Sequence, residues 1–99
     1  MNMQQMLMQA QKMQRELQKA QDELKKKEFT VSKGGAVTVV VLGDKTIKSI
    51  DIDKDAMDPD NKEMVEEMIA MAVNEAHQKI DVESAEINEA ITGRSGGLF

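Results

Sequence analysis

The first quarter of the chain repeats its apolar residues with the period of an α-helix. These residues step by 3 and 4 positions, which places them on one narrow side of a helix predicted over residues 2–27. The members of this packing stripe are Met3, Met6, Ala10, Met13, Leu17, Ala20 and Leu24. Four cations, Lys12, Arg15, Lys19 and Lys26, share the opposite side and are called the basic face. The pattern therefore predicts a helix that packs through one side and presents positive charge on the other.

The periodicity changes to that of β-structure after this helix. Three strands are predicted at about 28–32, 36–42 and 46–52, the second of them almost wholly β-branched. Glycine-containing turns separate them at 34–35 and 43–45. Ile47 is out of phase with Ile50 and Ile52, which predicts a β-bulge or a strand with apolar residues on both faces.

A second helix is predicted at about 59–91. Asp58 suits its N-cap and Pro59 its first position, and the glycines from Gly93 onward should end it and leave a flexible tail over 92–99. The order is helix, three-stranded antiparallel meander, helix. We therefore predict an α+β fold forming one domain over 1–99, with both helices on one face of the sheet.

The first helix is too long for the sheet that it should cover. About 25 helical residues span ~37 Å, whereas a strand of seven residues spans only ~23 Å. Met3 and Met6 should therefore extend past the domain and need a partner surface. A second copy of the chain is the simplest partner, so we predict a homodimer that joins through this stripe.

Charge is distributed unevenly along the 99 residues. Residues 1–27 carry six Lys/Arg and three Asp/Glu, whereas residues 51–90 carry three Lys and thirteen Asp/Glu, within a chain of net charge −5. A local basic face can still bind phosphate when an acidic body faces away from it. The alternative is an ordinary solvated helix surface, because Glu16, Asp22 and Glu23 are spaced to pair with nearby lysines.

Composition and spacing favour few other chemistries. The chain has no Cys, Trp or Tyr, so disulfides, thiolate metal sites and aromatic stacking on single strands are not expected. His77 has no nucleophilic partner placed by the sequence, and Asp51, Asp53 and Asp55 lack the Gly and Glu of a calcium loop. We expect a cytoplasmic non-enzyme without cofactor, metal, small-molecule substrate or membrane span.

Three segments resemble the YbaB/EbfC family of bacterial nucleoid-associated proteins. They are residues 9–14 (QAQKMQ), the strand at 35–42 with its following glycine, and the second helix at 62–69 and 72–76. The resemblance implies a tweezer-like homodimer that joins through its sheets and helices, with helices projecting from the joined sheets, found in the cytoplasm and nucleoid. It also implies duplex DNA binding with little sequence specificity, without an enzymatic step.

Carried to this sequence, the resemblance assigns the phosphate contacts to one group of cations. They are Lys12, Arg15, Lys19, Lys25 and Lys26. A second hypothesis is a homodimeric protein-interaction or chaperone-like module that grips another polypeptide with its Met-rich helices and does not bind DNA. The nine Met residues and the acidic net charge favour it.

Overall fold

The chain folds as a helix, a three-stranded antiparallel sheet and a second long helix, as the sequence predicts. A computed structural model describes residues 2–93. The elements are α1 (Met3–Lys26), β1 (Glu28–Lys33), β2 (Val37–Leu42), β3 (Ile47–Ile52) and α2 (Lys62–Gly93). The molecule is elongated, with extents of 69 × 19 × 14 Å.

Side-chain caps fix where the helices begin. The Asn2 carboxamide oxygen accepts a hydrogen bond from the backbone amide of Gln5 at 2.7 Å, which satisfies a free donor in the first turn of α1. Asp58 caps the 3₁₀ turn Pro59–Asn61, and α2 follows directly at Lys62. The second helix thus starts with a tighter turn, a common arrangement at helix ends.

A β-bulge in the β2–β3 ladder aligns the isoleucines of β3. Val39 pairs with Ile50, but Val41 pairs with Ile47, because the register shifts between Val40 and Val41. The extra residue moves Ile47 onto the face that carries Ile50. The structure thus has the bulge, one of the two alternatives that the phase of Ile47 predicts.

The hydrophobic core lies between one face of the sheet and α2. β2 alternates buried and half-buried residues, and its buried side chains meet the apolar side of α2. The core comprises Val31, Val37, Val39, Val41, Ala56, Val65, Ala72, Ala76 and Ile80. The fully buried Ala72 and Ala76 allow α2 to approach the strands closely.

The position of α1 differs from the prediction. We expected both helices on one face of the sheet, but α1 lies antiparallel against the C-terminal part of α2. Gln21 bonds to Asn88 at 2.9 Å and to Ser84, and Lys27 pairs with Glu83 at 2.6 Å. α2 covers the core face of β1 and β2, and α1 packs on the part of α2 that runs past the sheet.

Gly43 lets the end of α1 meet the β2–β3 turn. Its backbone amide donates to the Lys27 carbonyl oxygen at 2.9 Å, and a Cβ built on Gly43 would overlap the Leu24 carbonyl. Leu24 is itself buried at this junction. A glycine is therefore required here by close backbone approach.

Candidate nucleic-acid interface

The four cations of the basic face lie along one side of α1. Lys12, Arg15, Lys19 and Lys26 are all exposed. At 1.5 Å per residue the line from Lys12 to Lys26 is ~21 Å long. One side of α1 therefore presents a row of positive side chains.

These cations have no ion-pair partner within residues 2–93, although acids are close in sequence. Within α1, Lys25 pairs with Asp22 at 3.8 Å, and Asp22 also accepts a hydrogen bond from Gln18. The pairing of basic-face lysines with neighbouring acids, which would make an ordinary solvated surface, is therefore absent from this part of the chain. The charges of the basic face remain available for an external anion.

Lys25 stands apart from the other predicted contacts. It lies about 100° around the helix from Lys26 and engages Asp22. Exposed pairs of this kind contribute only ~0–1 kcal/mol, so the contact can exchange for another anion. Lys25 thus borders the basic face and does not belong to its line.

Asp22 and Glu23 of α1 lie beside the basic face, but many acids of the body are kept from it in two ways. The acids between residues 53 and 67 follow the end of β3 that pairs with Val37, whereas α1 joins the opposite end of the sheet at Gly43. Further along α2, acids pair with lysines of other elements: Lys33–Glu75, Lys45–Asp81 and Lys27–Glu83. Repulsion of a polyanion by these acids is reduced by both distance and pairing.

Burial along the packing stripe falls from the C-terminal to the N-terminal end of α1. Leu24 is buried, Met13, Leu17 and Ala20 are half-buried, and Met6 and Met3 are 46% and 85% exposed. The end of α1 therefore projects from the body with its apolar side uncovered. The sequence anticipates this overhang, although the stripe's role in self-association stays a prediction.

The structure shows where the residues considered for metal binding and catalysis lie. The Asp53 side chain accepts from the Asp55 backbone amide at 2.9 Å and begins a 3₁₀ turn. His77 is half-buried on α2, with a buried Nε2 that has no hydrogen-bond partner. Between residues 2 and 93 the structure brings no three acidic, His or Cys side chains together as a metal site. In the same range, no helix combines the length and apolarity that crossing a bilayer requires.

Sequence reasoning missed the polar junction that orients the basic face. The Gln21 amide oxygen accepts a hydrogen bond from the Ser84 hydroxyl at 3.2 Å, and its amide nitrogen donates to the Asn88 side-chain oxygen. Gln21 follows the apolar Ala20, so the spacing alone identifies it only as a neighbour of the stripe. Nothing in the local pattern links it to residues more than 60 positions away.

Fold and surface together define a small α+β protein whose projecting helix presents a row of exposed cations. The model of the YbaB/EbfC DNA-binding family matches residues 1–95, so the chain belongs to this family. A nucleoid-associated protein of Clostridium botulinum is 51% identical over 99% of this chain and 88% of its own length. Proteins of the same name from Acetivibrio thermocellus and Mycoplasmopsis pulmonis are 48% and 43% identical, over 98% and 92% of this chain and 87% and 90% of their own lengths.

Proposed function

We propose that this protein is a nucleoid-associated protein that binds duplex DNA as a homodimer with little sequence specificity. The basic face of α1 makes the phosphate contacts, with Lys25 at its border, and binding affects nucleoid organisation and gene expression in the cytoplasm. The observation that carries the proposal is a row of exposed cations on a projecting helix, without ion-pair partners among residues 2–93. Membership of a DNA-binding family and the names of the relatives support it.

The spacing of the basic face suits a duplex. A row ~21 Å long covers about six base pairs at 3.4 Å per base pair. Lysine and arginine contacts to phosphates give affinity and orientation but carry little sequence information. Weak specificity and strong salt dependence are therefore expected together.

Dimerisation is supported by apolar surface that the single chain leaves uncovered. Besides Met3 and Met6 of the packing stripe, Ile47 and Ile50 of β3 are 44% and 43% exposed on the face that forms the core. Uncovered apolar side chains on both a helix end and a sheet edge favour burial against a second copy. A dimer would present two basic faces to one duplex and double the number of phosphate contacts.

Fluorescence anisotropy of a labelled duplex of about 30 base pairs tests this function. If six or more phosphates are neutralised by the dimer, affinity should fall about 10³-fold or more between 50 and 200 mM salt. Binding that saturates at low salt and weakens in this way supports the proposal. Absence of binding at low salt and high micromolar protein would contradict it.

The exposed methionines favour a second candidate function, a clamp for another polypeptide. Met3, Met6 and Met8 expose flexible apolar side chains around the N-terminal turns of α1, and methionine surfaces adapt to varied partners. This function predicts partner proteins that stay bound to the tagged protein after nuclease treatment of a lysate. Loss of every partner after nuclease would count against it.

A further inference from the structure

Met8 is an exposed apolar side chain in line with the cations of the basic face. It is 62% exposed, in a part of α1 where residues 2–9 are exposed throughout. Arg15, Lys19 and Lys26 follow it by 7, 11 and 18 positions in the sequence. At ~100° per residue these steps place all four within about 20° of one line along the helix. Met8 thus extends the basic face by one turn beyond Lys12.

The packing stripe does not account for this position. Leu17, near the middle of the stripe, lies ~180° around α1 from Met8, and Met3 and Met13 lie about 140° away. A helix or sheet that covers the stripe would therefore leave Met8 exposed. The exposed thioether of Met8 is therefore accessible to a different ligand on that side of α1.

We propose that Met8 contacts the groove surface of the duplex, against deoxyribose carbons and base edges, while the neighbouring cations hold the phosphates. This inference rests on the proposed function and extends its site to the end of α1. Continuity with the cationic line supports the choice of DNA as the occupant, because a duplex held by Lys12 and Arg15 passes next to Met8. Apolar side chains, Met among them, make such contacts in DNA grooves. The contact adds affinity that does not depend on counterion release.

Substitutions at position 8 test the contact through the salt dependence of binding. Met8→Gln should weaken duplex binding by about threefold to tenfold at every salt concentration, since it removes apolar contact but no charge. The slope of log affinity against log salt should stay unchanged. Met8→Lys should bind more tightly at low salt and steepen the slope by about one for each protomer that contacts DNA.

The neighbouring Leu7 provides the matched control. It is 58% exposed but lies ~100° around the helix from Met8, off the line of the basic face. Leu7→Gln and Leu7→Lys should therefore change binding and slope much less. If wild-type binding is steeply salt-dependent but the Met8 variants match their Leu7 counterparts, the inference fails and the proposed function stands. If the wild-type protein does not bind duplex DNA at low salt, both fail.

Discussion

The two helices share an amphipathic design but use it in opposite ways. α2 covers the sheet, with Ala72 and Ala76 fully buried. α1 is held at its C-terminal end, where Leu24 is buried, and its N-terminal turns are exposed on all sides. Burial of apolar area is the main source of stability, so we assign the stability of the fold to α2 and the sheet. α1 is left free to present a surface.

The charged residues of the two helices differ in the same way, because several acids of α2 are paired and, among residues 2–93, the cations of the basic face of α1 are not. Acids on α2 pair with lysines of β1 and of the β2–β3 turn, as in Lys33–Glu75 and Lys45–Asp81. The basic face of α1 has no such pairs within the described part of the chain. Paired charges can be held within a body, whereas a row of unpaired cations suits an external polyanion. Net charge alone, at −5, would have suggested a poor DNA ligand.

The largest effect on stability is expected in the layer between α2 and the sheet. Val39→Ala removes two methyl groups from a side chain with no exposed surface and should lower the free energy of unfolding by about 2–3 kcal/mol. Met3→Ala, in the exposed end of α1, should change the stability of the protomer by less than ~0.5 kcal/mol. Urea denaturation at low protein concentration measures both. Equal losses would contradict the division between the helices.

A smaller and more local effect is expected at the junction of α1 with the sheet. Gly43→Ala places a Cβ against the Leu24 carbonyl, so the end of α1 must shift, at a cost of about 1–3 kcal/mol. Hydrogen exchange should speed up around the Lys27–Gly43 hydrogen bond and change little in β1. Uniformly faster exchange across the sheet would show that Gly43 supports the whole fold and not the junction alone.

The smallest effect is a dependence of the β2–β3 turn on acidity. Hydrogen bonds from Thr46, through its side chain and its backbone amide, hold the pKa of the Asp44 carboxyl below its ordinary value. The ionised form is thus favoured by folding, and its contribution is present above the unfolded pKa and is lost as the pH falls below about 4. Asp44→Asn should flatten this part of the stability profile slightly. An unchanged profile would show that the bonds contribute nothing measurable.

Sequence patterns predicted the local structure well because each pattern records a local physical preference. The phase of Ile47 limited β3 to a bulge or to apolar residues on both faces, and the structure has the bulge, which places the three isoleucines on one face. The docking of α1 on α2 was not predictable, because the same stripe could cover either a sheet or a helix. The bond between Gln21 and Asn88 depends on that docking, so no nearby residue indicates it.

The candidate site also has features that the sequence predicted and features that only the structure shows. The alignment of Lys12, Arg15 and Lys19 follows from helical periodicity alone, and the structure gives each of them an exposed position. Their lack of ion-pair partners in the described part of the chain could not be predicted, because Glu16 and Glu23 have sequence spacings that allow pairing. The separate position of Lys25 around the helix also follows from periodicity, whereas its ion pair with Asp22 needed the structure.

One measurement tests the central claim most directly: duplex affinity of two variants with the same change in net charge. The first reverses basic-face residues and the second reverses lysines of the body. They are Lys12→Glu, Arg15→Glu and Lys19→Glu against Lys54→Glu, Lys62→Glu and Lys79→Glu. We predict that the first loses at least about 100-fold in affinity at moderate salt, with its dimer and fold intact, and the second less than about fivefold. Equal losses would show that overall charge, and not the basic face of α1, governs binding.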